Sequence, residues 1–387
     1  NDGSEVTSFL PTSYTYTPHP VHMNTTWKER RQVRDLDAFL IPYGYGDGGG
    51  GPTRDHIEYA LRQKNLEGSI KIKMAGPKEF FEDMEAKGGP KHTYSGELYF
   101  TAHRGTYTSQ ALAKKNNRKS EFALHNAEFW NAMAGLEGKA YPAEDLETNW
   151  KEVLLYQFHD ILPGSSIEKV YVEANAGYKA LQEKVNALTA QAQYHLAKEE
   201  SEAVSVLNSL GFERKALVKL PDIFANGAVL ADGTEVPVYP TENGLTAVVT
   251  VPSYGAISLR PAEEAVVCEE ELVSAKETAE GFVLENEFVK AVVAKNGEVT
   301  SFIVKESGRE IASGNMNHFQ VYKDIPRLFD AWDIDSNYIL QEVDGAFDVQ
   351  TELVQTGVEA IVKVTGRISE STFTQYIRLE TGSKRLV

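Results

Sequence analysis

The chain has 387 residues, 42% hydrophobic and 10% aromatic, with a formal net charge of -17 and a single cysteine, Cys268. At about 150 residues per domain, that is material for two or three globular domains with proper cores. The negative field argues against nonspecific binding to nucleic-acid phosphates and against docking on an anionic membrane, and one cysteine excludes an intrachain disulfide and a Cys-rich metal centre.

Any metal must therefore be held by His, Asp or Glu. No apolar run approaches the roughly 18 residues that span a bilayer. The first residues, NDGSEVTSFLPTSYTY, have neither the basic start nor the apolar segment of a signal peptide. They also lack an initiator Met, so a processed or partial product is expected.

LDAFLIPYGYG (Leu36 to Gly46) has an apolar centre, Ala38 to Ile41, running into glycines, and predicts a buried strand and a loop. Thr53 predicts the N-cap of a helix reaching about Asn65. SIKIKMA (Ser69 to Ala75) alternates like the next strand, and Pro77 opens a helix that Gly88-Gly89-Pro90 ends. Strand, loop, helix, strand, helix is the order of a parallel α/β architecture.

Helical spacing then dominates. One helix is expected over Thr108–Leu136, with Phe122, Leu124, Phe129, Trp130 and Met133 as its apolar positions. A second is expected over Thr148–His159, with a core face of Trp150, Val153, Leu154 and Phe158. A third runs from Ile167 to about Lys198, capped by Ser165 or Ser166. Three such helices with short breaks read as a bundle. Near Ala203 the period changes to short β runs, beginning with VSVLNSL and RKALVKLPD. Asn296-Gly297, inside VVAKNGEVTSF, predicts a hairpin. KVTGRISESTFTQYIRLETGS keeps the pattern with no partner for its last strand evident in sequence, so an incomplete β-sandwich is expected.

Four stretches could carry chemistry. GYGDGGGGPT (Gly44 to Thr53) follows the first expected strand, where α/β folds place ligand loops. Its glycines permit close backbone approach, and Asp47 could serve as a general acid. The plainer reading is a flexible turn with a solvated Asp. It is not a phosphate loop, because no Gly-Lys-Ser/Thr follows. SGELYFTAHRGTYTSQ gathers His103, Arg104 and Tyr107 ahead of the first long helix, and reads first as an ordinary helix-entry loop with Thr106 or Thr108 capping. QFHDILPGSS sets His159 and Asp160 in the last turn of the second helix. A histidine there can simply favour the helix dipole. It can also ligate a metal beside a carboxylate that binds substrate hydroxyls, but one His needs two or more further ligands. PRLFDAWDIDSNY places three Asp around Trp332 and reads first as a solvated turn.

In this order the four stretches resemble glycoside hydrolase family 38, the class II α-mannosidases, and more closely its vacuolar and cytosolic subgroup. LHNAEFW and VLNSL fit as well, and the resemblance covers nearly the whole chain. It implies a multidomain α/β, all-α and all-β fold. The C-terminal part of a distorted α/β barrel would occupy 1–90 and a three-helix bundle 91–202. A small β domain would occupy 203–265, and the start of a large, incomplete β-sandwich domain 266–387. It implies retaining hydrolysis of α-mannosides with one divalent ion, usually zinc, that grips the sugar's 2- and 3-hydroxyls. Carried over, His159 would be a metal ligand, Asp160 would bind sugar hydroxyls and Asp47 would be the general acid/base. Tyr107 lies in a matching motif without a role.

The family's His-x-Asp ligand pair is missing, since none of the nine histidines has Asp two residues later. No stretch matches the family's nucleophile either. Retaining chemistry needs two carboxyl groups flanking the bond, so these residues alone are expected to be catalytically incomplete, with the other zinc ligands outside the chain. The alternative is a noncatalytic carbohydrate-binding or assembly module of the same fold. The expected partner is an α-mannoside glycan or oligosaccharide, with no nucleic acid and no membrane. A homo-oligomer is compatible with the sequence, and the single cysteine leans toward a cytoplasmic setting.

Overall fold

The computed structural model describes residues 2–11, 16–30, 36–46, 49–96, 101–197, 202–267 and 272–387. The chain divides into two compact units, Asn1–Leu98 and Tyr99–Val387.

Among its described residues the first unit holds three helices, α1 (Pro20–Glu29), α2 (Arg54–Arg62) and α3 (Pro77–Ala86). Pro at the start of α1 and α3 is preset for a first helical turn. Thr53 is the N-cap of α2 as expected, and its backbone N–H donates to the Nδ1 of buried His56. The strands expected at 36–41 and 69–75 are not formed. A strand exists only through a hydrogen-bonded neighbour, and side chains hold these segments instead. The backbone N–H of Ile70 donates to Asn24 Oδ1 at 3.1 Å, and Phe39 packs edge-on against Phe9. Pairing among the described residues of this unit is limited to a parallel bridge, Tyr16 to Tyr43, and an antiparallel one, Tyr45 to Gly50.

In the second unit α4 (Ala111–Leu136), α5 (Ala143–Tyr156) and α6 (Glu168–Ala197) share one core of Leu124, Ala127, Leu146, Val153, Leu181 and Val185. The buried positions of α4 are Asn117, Ser120, Leu124, Ala127, Asn131 and Ala134, apart from Ala113 and Trp130. Those six step by three and four, and so do Tyr171, Ala174, Tyr178, Leu181 and Val185 on α6. This is the seam of a coiled-coil-like packing. Phe122, Leu154 and Phe158, expected inside, are exposed. The seam takes polar residues because each finds partners there. Gln182 Nε2 donates to Ser120 Oγ at 3.0 Å, and Asn131 Nδ2 donates to the carbonyls of Ala127 and Leu188.

The β region starts at β1 (Val204–Leu207), β2 (Arg214–Leu220), β3 (Ala228–Leu230), β4 (Glu235–Val236), β5 (Val238–Thr241), β6 (Gly244–Val251) and β7 (Ala256–Pro261). These form two antiparallel sheets, β1-β7-β3-β4 and β2-β6-β5, around Phe224, Ala247, Val249 and Leu259. There follow β8 (Ser274–Glu277), β9 (Gly281–Glu285), β10 (Val289–Ala294), β11 (Val299–Val304), β12 (Arg309–Glu310), β13 (Val321–Tyr322), β14 (Glu342–Val343), β15 (Phe347–Gln355), β16 (Glu359–Ile368) and β17 (Ser371–Glu380). The sheets β12-β11-β10-β9-β8 and β15-β16-β17 pair Phe282, Leu284 and Val293 with Val362, Val364 and Leu379 in a second core.

Asn296-Gly297 does join β10 to β11 as a hairpin, with Gly297 at φ 82°. Gly is needed there twice over, since a Cβ would also stand 2.6 Å from Val364 Cγ1. The last strand has its partner. β17 pairs with β16 from Ser371 opposite Ile368 to Glu380 opposite Glu359.

Candidate active site

Helix α5 ends at Tyr156, earlier than expected, so His159 and Asp160 sit in the turns beyond it. Pro163 disfavours helical geometry at the residue before it and donates no N–H. The backbone therefore closes on itself in short steps. The N–H groups of Ile161 and Leu162 both donate to the Phe158 carbonyl, at 2.8 and 3.1 Å, and that of Gly164 donates to Ile161. Gly164 takes φ 96°, a conformation open to glycine.

His159 Nε2 lies 3.3 Å from Asp160 Oδ2, and both side chains face water, the imidazole 79% exposed. The Phe158 ring covers one side of the imidazole, with centroids 4.3 Å apart. Asp160 is fixed through its backbone. Its carbonyl accepts from Ser166 Oγ at 2.6 Å and from the hydroxyl of buried Tyr171 at 3.3 Å. That hydroxyl in turn accepts from the Ser166 N–H at 2.9 Å. The start of the turn is anchored in the helical seam, where Gln157 Nε2 donates to Asn117 Oδ1 and Glu121 Oε1. Beneath it burial pushes the Tyr178 phenol well above its ordinary value, and burial with the nearby Glu152 pushes that of Tyr156 up to about 12.

The structure brings three of the four motif stretches together here. Residues Thr101–Tyr107 form helical turns broken by a kink at His103 (φ -143°), followed by a turn in which the Ser109 N–H donates to the Gly105 carbonyl. Ser109 Oγ donates to the Ala331 carbonyl at 2.8 Å, and the Gly105 N–H donates to the Trp332 carbonyl at 2.7 Å. The Trp332 ring rests on His103, centroids 4.9 Å apart. The segment around Trp332 is thus docked and half-buried rather than a solvated turn. Gly164 packs so close to the same Ser109 that a Cβ there would stand 2.5 Å from its carbonyl oxygen. Lys114, in the first turn of α4, donates to the carbonyls of Ser109 and Leu162. Burial pushes its ammonium below the ordinary value. Ser109, Lys114, Gln157 and Tyr171 were not legible as site residues.

Asp47, the candidate acid/base, lies outside the described residues. Of the described residues on either side, the Gly50 N–H donates to the Tyr45 carbonyl at 2.9 Å. An imidazole beside a carboxylate is the right kind of donor pair for zinc, but a zinc site takes four donors. Among the described residues no three His, Cys, Asp or Glu side chains are grouped to hold an ion.

The order of the segments decides the family. The family model described as the glycosyl hydrolases family 38 N-terminal domain matches residues 2–97, the alpha mannosidase middle domain matches 101–196, and the family 38 C-terminal domain matches 284–387. The chain belongs to glycosyl hydrolase family 38. Similar family relatives include human "Alpha-mannosidase 2C1", 32% identical over 305 residues, or 77% of this chain and 28% of that protein. "Alpha-mannosidase G" of Dictyostelium discoideum is 29% identical, over 86% of this chain and 34% of its own length. "Alpha-mannosidase" of Saccharomyces cerevisiae is 39% identical over 44% of this chain and 17% of its own length. The chain spans about a third or less of the length of these relatives. Among solved structures, an alpha-mannosidase from Enterococcus faecalis V583 matches with a TM-score of 0.65 at 15% identity, covering 96% of this chain and 52% of that one. A family 38 protein from Enterococcus faecalis matches at 0.60 and 16%, covering 93% and 51%. At these identities the likeness is one of fold, a mixture of helices and antiparallel sheets. Among the described residues no helix is long and apolar enough to cross a membrane.

Proposed function

We propose that the chain is part of a retaining α-mannosidase acting on α-mannosides of glycans, and that the turn holding His159 and Asp160 contributes to its sugar site. The observation that carries this reading is the convergence of three motif stretches on that turn, with its two polar side chains left open to water. Asp160 accepts hydrogen bonds from the sugar's hydroxyls. His159 offers one nitrogen to a divalent ion whose other ligands come from outside the described residues. Such an ion, when bound, supplies a Lewis-acid grip on sugar oxygens. Asp47 is the acid/base of the carboxyl pair that retention requires. In this reading α4, α5 and α6 form a helix bundle, and the first unit is part of a barrel. A cytosolic setting accords with the single cysteine. Nothing observed favours the noncatalytic alternative.

The test is Asp160→Asn in the natural protein that carries this sequence. A hydrogen bond to a charged group contributes about 1.5–3 kcal/mol, so kcat/KM toward an aryl α-mannoside should fall roughly ten- to hundredfold with bound metal unchanged. Unaltered kinetics would remove Asp160 from the site.

A further inference from the structure

We propose that Lys114 is a positioning residue, whose ammonium ties the turn carrying His159 and Asp160 to the turn that ends in Ser109 and so sets where the two side chains point. The inference rests on the reading of that turn as the site. Lys114 is poorly placed by local rules. It stands in the first turn of a 26-residue helix, where a cation opposes the helix dipole. It is also half-buried, and a lysine gives up hydration at a cost. Its neighbour Lys115 is exposed.

The hydrogen bonds of Lys114 run to carbonyls of two separate segments. One goes to Leu162 at 2.7 Å, two residues after Asp160, and the other goes to Ser109. Charge-assisted bonds of this kind are about twice as strong as neutral ones. The two turns also approach one another at Gly164, where a Cβ would stand 2.5 Å from the Ser109 carbonyl oxygen. From Ser109 the tie continues to the third motif through its hydroxyl bond to Ala331. The helix N-terminus also gains little elsewhere. Its cap residue, Gln110, is left-handed at φ 55° and makes no side-chain capping bond.

The test is amide hydrogen exchange on the natural protein, comparing wild type with Lys114→Met, which keeps the length and removes the donors. Peptides over 105–110 and 158–166 should exchange at least tenfold faster, while those over the middle of α6 and over β16 keep their rates. Lys114→Arg, which keeps the charge, should retain the protection. With an aryl α-mannoside, Lys114→Met should lose about tenfold in kcat with KM within threefold, because a misplaced group costs most in the transition state. Wild-type exchange in both turns, or faster exchange spread evenly over α4, α5 and α6, would overturn the role. Should Lys114→Met fail to fold, Lys114→Gln, too short to span both carbonyls, is read in the same way. A wild-type protein without mannosidase activity but with locally faster exchange in the variant would defeat the functional reading and leave the tie standing.

Discussion

Gly164→Ala is expected to lose about 3 kcal/mol of stability and more than a hundredfold in kcat/KM. Two costs meet at that position. At φ 96° an L side chain is strained, at about 1–3 kcal/mol. A Cβ would also lie 2.5 Å from the Ser109 carbonyl oxygen and 2.6 Å from Ser109 Cβ, and overpacking of this kind costs about 1–3 kcal/mol. Ser109 cannot step aside. Its N–H is bonded to Gly105, its hydroxyl to Ala331, and its carbonyl to Lys114. The turn at 158–164 must yield instead, carrying His159 and Asp160 with it, and a displacement near 1 Å is enough for a hundredfold loss. Chemical denaturation and aryl α-mannoside kinetics check both parts. A variant with the wild-type midpoint and wild-type turnover would show that the contact does not shape the site.

His159→Ala, by contrast, is expected to separate function from stability. The side chain is 79% exposed and its polar contact is with the adjacent Asp160. Exposed substitutions of this kind change stability by about 0.5 kcal/mol or less. If His159 supplies a ligand, the variant should keep its melting temperature, lose bound zinc and fall more than about a hundredfold in kcat/KM, the larger end of what disturbing metal-site partners costs. Metal analysis of the purified variant is the deciding readout. Full zinc content in a folded protein would remove His159 from the ligand set, whatever the activity did.

The contrast between these residues shows what sequence could tell. Pro163-Gly164 marked the turn because both act through local backbone geometry. His159 and Asp160 stood out because they follow an amphipathic helix. Their anchors did not stand out. Lys114 differs from Lys115 only by the phase of α4, and that phase is set by a seam containing Asn117, Ser120 and Asn131. An apolar stripe in the sequence points to Phe122 and not to these three. Strands are legible where turn chemistry fixes the pairing, as at Asn296-Gly297. The strands expected around Ala38–Ile41 and over Ser69–Ala75 do not form, because apolar alternation gives no information about a distant partner. The docking of Ala331 and Trp332 onto Gly105 and Ser109 joins residues more than 220 apart in sequence, and no local signal encodes it.

The most direct test of the account is proton NMR of the first product formed when the natural protein carrying this sequence acts on an aryl α-mannoside, with the β-anomer and Asp160→Asn run alongside. The account predicts that α-mannose appears first, that the β-mannoside is untouched and that Asp160→Asn slows the reaction. β-Mannose as the first product, turnover of the β-substrate, or an Asp160→Asn variant as fast as wild type would contradict it.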